Sequence, residues 1–177
     1  LVMLLPPARG SLGDHLHRLL RGPADTEHVS LPEHDDEDDS ALSLWVLHEL
    51  HYRGFDDVDD RWEWSPATLA LRWQLEDALE TKLRTRYEQQ AGPVADSDLA
   101  SALRGLIEEH DGPSLSARVR KDATREEVIE LMCQRSVYHL KEADPTSWVV
   151  PRLEADPKAV LVQLQYDEYG AGSVGRL

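Results

Sequence analysis

Apolar residues recur at steps of three and four along most of the chain, which predicts helices rather than strands. The clearest helix begins at Arg125, because Thr124 precedes it and Glu127 follows three residues later, the spacing of a capping box. The pair Asp144-Pro145 is expected to end it, since proline disfavours helical geometry in the residue before it. One face of this helix begins apolar and ends ionisable: Val128, Met132, Arg135, His139 and Glu142.

The same periodicity predicts the other elements of an all-α fold. Long helices are expected at 41–55 and 66–90, and a last one, KAVLVQLQYDEYG, begins after Asp156-Pro157. Short helices are expected around Leu12 to Leu20, ending at Gly22-Pro23, and around Leu99 to Ile107, ending at Asp111-Gly112-Pro113. Gly92-Pro93 should break the 66–90 helix, and Asp96 or Ser97 should cap the next one. Residues 114–123 are basic and read as a loop.

The chain divides into an N-terminal segment, 1–40, and a helical bundle predicted for 41–177. The N-terminal segment ends in an acidic run at 32–40. We interpret the run as a solvated loop whose acids favour the positive end of the next helix, with Asp39 or Ser40 as its cap. A calcium loop is the alternative, but the glycine and the spaced terminal glutamate of an EF-hand are absent.

Three glutamates, Glu49, Glu142 and Glu168, lie on apolar stripes of different predicted helices and are expected to point inward. Carboxylates and imidazoles that project inward from facing helices can hold two iron or manganese ions. The cations offset the cost of taking the carboxylates out of water. Simpler interpretations stay open: a surface position for Glu168, a salt bridge of Glu142 to Arg135 or Arg152, and a helix-end role for His139.

The amino-acid composition limits the classes of binding partner and the compartment that we expect. With 34 acidic and 19 basic residues the net charge is −15, which argues against DNA and anionic membranes. The single cysteine, Cys133, excludes an internal disulfide and fits a reducing, cytoplasmic compartment. The N-terminal LVMLLPP is too short for a signal peptide or a spanning helix. Phosphate-binding glycine loops and the GxSxG motif are absent from the sequence.

Three blocks in order, WVLHELHYRGFDDVDDRWEWSP, RSVYHLKEADPTSWVVPRL and LVQLQYDEYGAG, resemble the iron-containing redox enzymes, a family of haem-oxygenase-like diiron proteins. The resemblance implies a haem-oxygenase-like bundle with two irons that activate dioxygen to oxidise a small organic substrate. It also implies that Glu142 and Glu168 bind iron and that Glu49 is either a ligand or a neighbouring group. The residues expected to orient these ligands are His139, Asp144, His51 and Asp167.

The chain departs from the resembled pattern in two respects. Thr146 stands where the family is expected to have a histidine ligand, and family members are considerably longer. The resemblance therefore implies an incomplete and inactive N-terminal portion, whose partner is a missing C-terminal half or a second copy in a homodimer. One alternative is a non-catalytic helical binding module. Another is a cofactorless enzyme of the same fold, with Cys133 as its nucleophile.

Overall fold

The computed structural model describes residues 2–24, 30–33, 36–90, 99–109 and 112–176. Within these ranges the chain forms helices and no strand, so the prediction of an all-α fold is confirmed. The chain divides into two compact units, Leu1–Val94 and Ala95–Leu177. The predicted break at Gly92-Pro93 and the cap at Asp96 or Ser97 lie outside the described residues.

The N-terminal unit contains α1 (Ser11–Leu20), α2 (Glu37–Glu49) and α3 (Pro66–Gln90), with a 3-10 turn at Asp60–Trp64. The C-terminal unit contains α4 (Leu99–Glu108), α5 (Leu115–Lys121), α6 (Arg125–His139) and α7 (Ala155–Glu168). Its 3-10 turns lie at Asp144–Trp148, Val150–Arg152, Gly170–Gly172 and Val174–Arg176. None of the described helices combines the length and the apolar character that a membrane-spanning helix needs.

The core of the N-terminal unit is built where α1, α2 and the first half of α3 pack together. Its centre is the fully buried Trp62, which lies in the turn that precedes α3. Burying each large apolar side chain contributes about 1.5–3 kcal/mol, so this cluster dominates the stability of the unit. The buried apolar residues are Leu5, Leu12, Leu16, Leu20, Val46, Leu47, Leu50, Phe55, Trp62, Ala67, Leu71 and Leu75.

A buried carboxylate joins α1 to α2. The Oδ2 of Asp39 accepts from the Leu12 amide at 2.9 Å, and its Oδ1 accepts from the Gly13 amide at 3.0 Å. Asp39 therefore caps α1, which has no side-chain cap of its own at Gly10. The predicted cap of α2 was wrong: α2 begins at Glu37 and is capped by Asp36, since the acids of the run already favour the start of a helix.

Gly13 leaves no room for a side chain beside this carboxylate. A Cβ there would lie 2.7 Å from Oδ1 of Asp39, which its own hydrogen bonds hold in place. We expect Gly13→Ala to lower the free energy of unfolding by about 1–3 kcal/mol, despite the helix propensity of alanine. The matched control is Gly105→Ala in α4, where a Cβ meets nothing within 4 Å and should add about 0.5–1 kcal/mol. Urea denaturation followed by circular dichroism measures both, and equal shifts would contradict the account.

The C-terminal unit does not share the buried apolar core of the N-terminal unit. Its described residues contain no buried apolar side chain, and only Gln165 and Gly170 among them are buried. The predicted capping box of Thr124 and Glu127 at the start of α6 is confirmed. The predicted loop at 114–123 was wrong, since Ser114 caps the short helix α5. Local caps and turns, rather than a packed core, therefore define the described elements of this unit.

Two of the three glutamates do not point inward as predicted. Glu142 and Glu168 are exposed, and so is Met132 on the same face of α6, because that stripe has no packing partner among the described residues. The helix α6 also ends at His139, so Glu142 lies in the turn that follows it rather than on the helix. The prediction holds for Glu49 alone, which is 2% exposed on α2.

Candidate functional site

The C-terminal unit brings the turn after α6 against the end of α7. The amide Nε2 of Gln165 donates to the carbonyl of Ala143 at 3.0 Å, and the hydroxyl of Tyr169 donates to Oδ1 of Asp144 at 2.8 Å. Glu168 follows Gln165 by three residues, so the two share a face of α7. Glu168 is exposed and is the last residue of α7.

Tyr138, in the last turn of α6, binds one of the two carboxylates, Glu142. Its hydroxyl donates to Oε1 of Glu142 at 2.8 Å. This hydrogen bond raises the pKa of Tyr138 above its ordinary value, and the charge of Glu142 and then that of Glu168 add to the effect. We call Tyr138, Glu142 and Glu168 the Tyr138 cluster: Glu142 is bonded to the phenol, whereas Glu168 acts on it through its charge and more weakly.

The other predicted residues of this unit make their described hydrogen bonds to partners other than Glu142 and Glu168. His139 accepts from Nε of Arg135 at 3.1 Å, and its ring meets that of Tyr138 edge-on at 5.5 Å. Asp144 accepts from Tyr169, as described above. Thr146, which stands where a histidine was expected, donates to the carbonyl of Ala143 at 2.7 Å, while Asp167 is exposed on α7.

The donor set can be tested for its fit to iron. Carboxylate oxygens suit a hard divalent cation, and exposed carboxylates are open to one from solvent. The number of donors falls short, because nowhere in the described ranges do three His, Cys, Asp or Glu side chains come together as a metal site. The cluster therefore has the chemistry of part of an iron site but does not by itself complete one.

Glu49 and His51 belong to the N-terminal unit, at the end of α2. His51 lies with its Nδ1 3.6 Å from Oε1 of Glu63 and its ring edge-on to that of Trp64 at 5.2 Å. One turn earlier, Nε2 of His48 lies 3.2 Å from Oε1 of Glu76 on α3. These contacts join α2 to α3 and to the turn between them, which is a structural role whatever else the residues do.

Burial makes these histidines sensitive to pH. Desolvation lowers the pKa of His48 and of His51 below 6.5, although Glu76 and Glu63 act in the opposite direction. The unfolded chain then binds protons more readily, so stability should fall as the pH drops below about 6.5 and stop falling below the folded pKa values. In urea denaturation we expect this loss as the pH falls through about 6.5, and a smaller one for His48→Gln/His51→Gln. An unchanged loss in the double variant would exclude these histidines as its source.

Sequence reasoning missed three side chains that organise the cluster: Tyr138, Gln165 and Tyr169. Tyr138 and Tyr169 are both exposed, and each donates to a carboxylate. Gln165 could have been identified from the sequence, because a polar residue three positions before Glu168 lies on the same face of a helix. Cys133, the nucleophile of the cofactorless alternative, is exposed on α6.

Comparison with known proteins gives one match. Residues 129–177 match the model of a family described as iron-containing redox enzyme. The matched segment contains Tyr138, Glu142, Gln165 and Glu168, and thus the whole cluster, whereas Glu49 and His51 lie outside it. No curated protein and no solved structure matches the chain.

Proposed function

We propose, on the premise that residues 129–177 belong to the iron-containing redox enzyme family, that this chain is an iron-dependent, dioxygen-activating oxidoreductase of a small organic substrate. The observation that carries the proposal is that the matched segment contains both Glu142, which the hydroxyl of Tyr138 binds at 2.8 Å, and Glu168, which is exposed at the end of α7. Iron would be bound by these two carboxylates, as one of two irons in a non-haem centre. Bound ferrous iron supplies the electrons that reduce dioxygen.

The residues around the two carboxylates fix their positions. Tyr138 holds one oxygen of Glu142 and leaves the other for a cation, while Gln165 fixes the backbone at Ala143. Both glutamates bind a metal only when deprotonated, and their exposure keeps the charged form solvated until the metal arrives. The remaining donors must come from outside this cluster; Glu49, His139, Asp144, His51 and Asp167 stay predictions in their assigned roles.

The experiment is an anaerobic titration of the full chain with ferrous iron, in which calorimetry measures the binding. The proposal predicts saturable binding, and faster oxidation of the bound iron than of free iron when dioxygen is admitted. Glu130→Gln is the matched control, since Glu130 is another exposed glutamate of the C-terminal unit and pairs only locally with Gln134 at 2.7 Å. Binding no stronger than nonspecific background would refute the proposal.

A second candidate function, a non-catalytic helical binding module, is supported by the exposed apolar side chains of α6 and α7. Met132, Val137 and Val160 are among them, each more than half exposed. Contiguous exposed apolar faces mark interaction surfaces. Size-exclusion chromatography with and without ferrous iron separates the two functions, because the binding module predicts association that is independent of the metal.

A further inference from the structure

The second half of α3 is exposed and borders α2 across an open groove. From Asp77 to Gln89 every side chain is exposed, although Leu71 and Leu75 on the same helix are buried. The apolar stripe nevertheless continues past the core at steps of four, through Leu79, Leu83 and Tyr87, which are 46%, 55% and 67% exposed. An apolar stripe that continues past its own core offers a face for another helix.

This stripe borders an open groove between α2 and α3. The groove has a volume of about 400 Å³ and is lined on the α2 side by Ala41 and Leu44. On the α3 side Leu79 and Leu83 form its apolar wall, and Arg86 lies at its rim. Glu37 pairs with Lys82 across one end, which closes the groove there. We call the groove and the stripe together the α3 surface.

The charges of α3 favour a second copy of this chain as the occupant. The segment 77–90 carries three acidic and three basic residues, in a chain that has 34 acidic and 19 basic ones. Two copies that are both strongly acidic repel each other over most of their surfaces, and at this neutral segment they can approach with little repulsion.

The order of the residues is also self-complementary. In an antiparallel pair with a two-fold axis at Leu83, residues equally far before and after Leu83 face each other. Leu79 then packs on Tyr87 of the second copy, and Glu80 faces its Arg86. Rows of side chains spaced by four interdigitate in the commonest class of helix packing, with the axes crossing at about −50°.

We propose that the chain forms a homodimer in which the α3 surfaces of two copies pack antiparallel across a two-fold axis at Leu83. The interface is isologous, because every contact occurs twice. It involves none of the residues of the proposed iron site, so a test of the dimer is independent of a test of the proposed function.

Sedimentation velocity of the full chain over a dilution series tests the proposal. The wild type should approach twice the 20.0 kDa mass of the chain at high concentration and dissociate on dilution. Leu83→Glu should be monomeric where the wild type is dimeric, since it places two like charges at the axis. Leu83 is exposed and glutamate is a good helix former, so the circular dichroism should not change.

Matched variants separate this geometry from general stickiness. Thr85→Glu adds the same charge two residues further, on the opposite side of α3, and should leave the dimer intact. Glu80→Arg and Arg86→Glu should each weaken the dimer, and the double variant should restore it with the pair reversed. A wild type that is monomeric throughout, a dimeric Leu83→Glu, or a double variant as weak as the single ones would overturn the proposal.

Discussion

Replacing Asp39 by alanine is expected to lower the free energy of unfolding by about 2–4 kcal/mol, the largest effect of any polar substitution that we predict. The side chain is 1% exposed and accepts from two backbone amides, those of Leu12 and Gly13, at the start of α1. Alanine leaves both donors buried without an acceptor and removes a negative charge from the positive end of the helix. Loss of this contact also separates α1 from α2.

Two further variants isolate the cause. Asp39→Asn keeps the shape but turns an amide donor toward one of the two backbone donors, so it should recover little of the lost stability. Asp38→Ala removes a neighbouring, exposed carboxylate that pairs with Arg9 at 2.5 Å and should cost at most about 1 kcal/mol. Urea denaturation followed by tryptophan fluorescence, to which the buried Trp62 contributes, measures all three. Similar losses for Asp38→Ala and Asp39→Ala would contradict the capping role.

Asp39 also shows where sequence reasoning stops. Local patterns predict what neighbouring residues decide: the capping box of α6, the bounds of α3 and the burial of Glu49 all follow from spacing. The same patterns place an acidic residue at a helix start, and they correctly favour a helix after the acidic run. They cannot show that Asp39 caps a different helix 27 residues earlier, because that contact is decided by packing.

For the candidate site as well, the sequence predicts some features, while others depend on tertiary packing. Glu142 and Glu168 were selected from the sequence; the structure bonds Glu142 to Tyr138 and leaves Glu168 exposed at the end of α7. The predicted inward direction was wrong, because an apolar stripe indicates an inward face only where another element covers it. In the C-terminal unit the described residues contain no such cover, so the stripe of α6 is exposed and its ionisable end lies in a turn. The links through Gln165 and Tyr169 depend on tertiary geometry.

Substituting either carboxylate is expected to lower the affinity for ferrous iron by at least about tenfold, and thus by about 1.4 kcal/mol or more. Glutamine at 142 or 168 keeps the size and removes the anionic donor, so Glu142→Gln and Glu168→Gln should fold as the wild type does. Both positions are exposed, which removes burial as a competing explanation. Calorimetric titration gives the affinity and the stoichiometry of each variant, with Glu130→Gln as the unaffected control.

The double variant Glu142→Gln/Glu168→Gln completes a thermodynamic cycle of iron binding and tests most directly whether the two carboxylates hold the same cation. If they do, the two losses are coupled: once one ligand is gone the second substitution costs measurably less, and the stoichiometry does not fall stepwise. Losses that add without coupling, or an affinity equal to that of Glu130→Gln in all variants, would contradict a shared iron site at Tyr138.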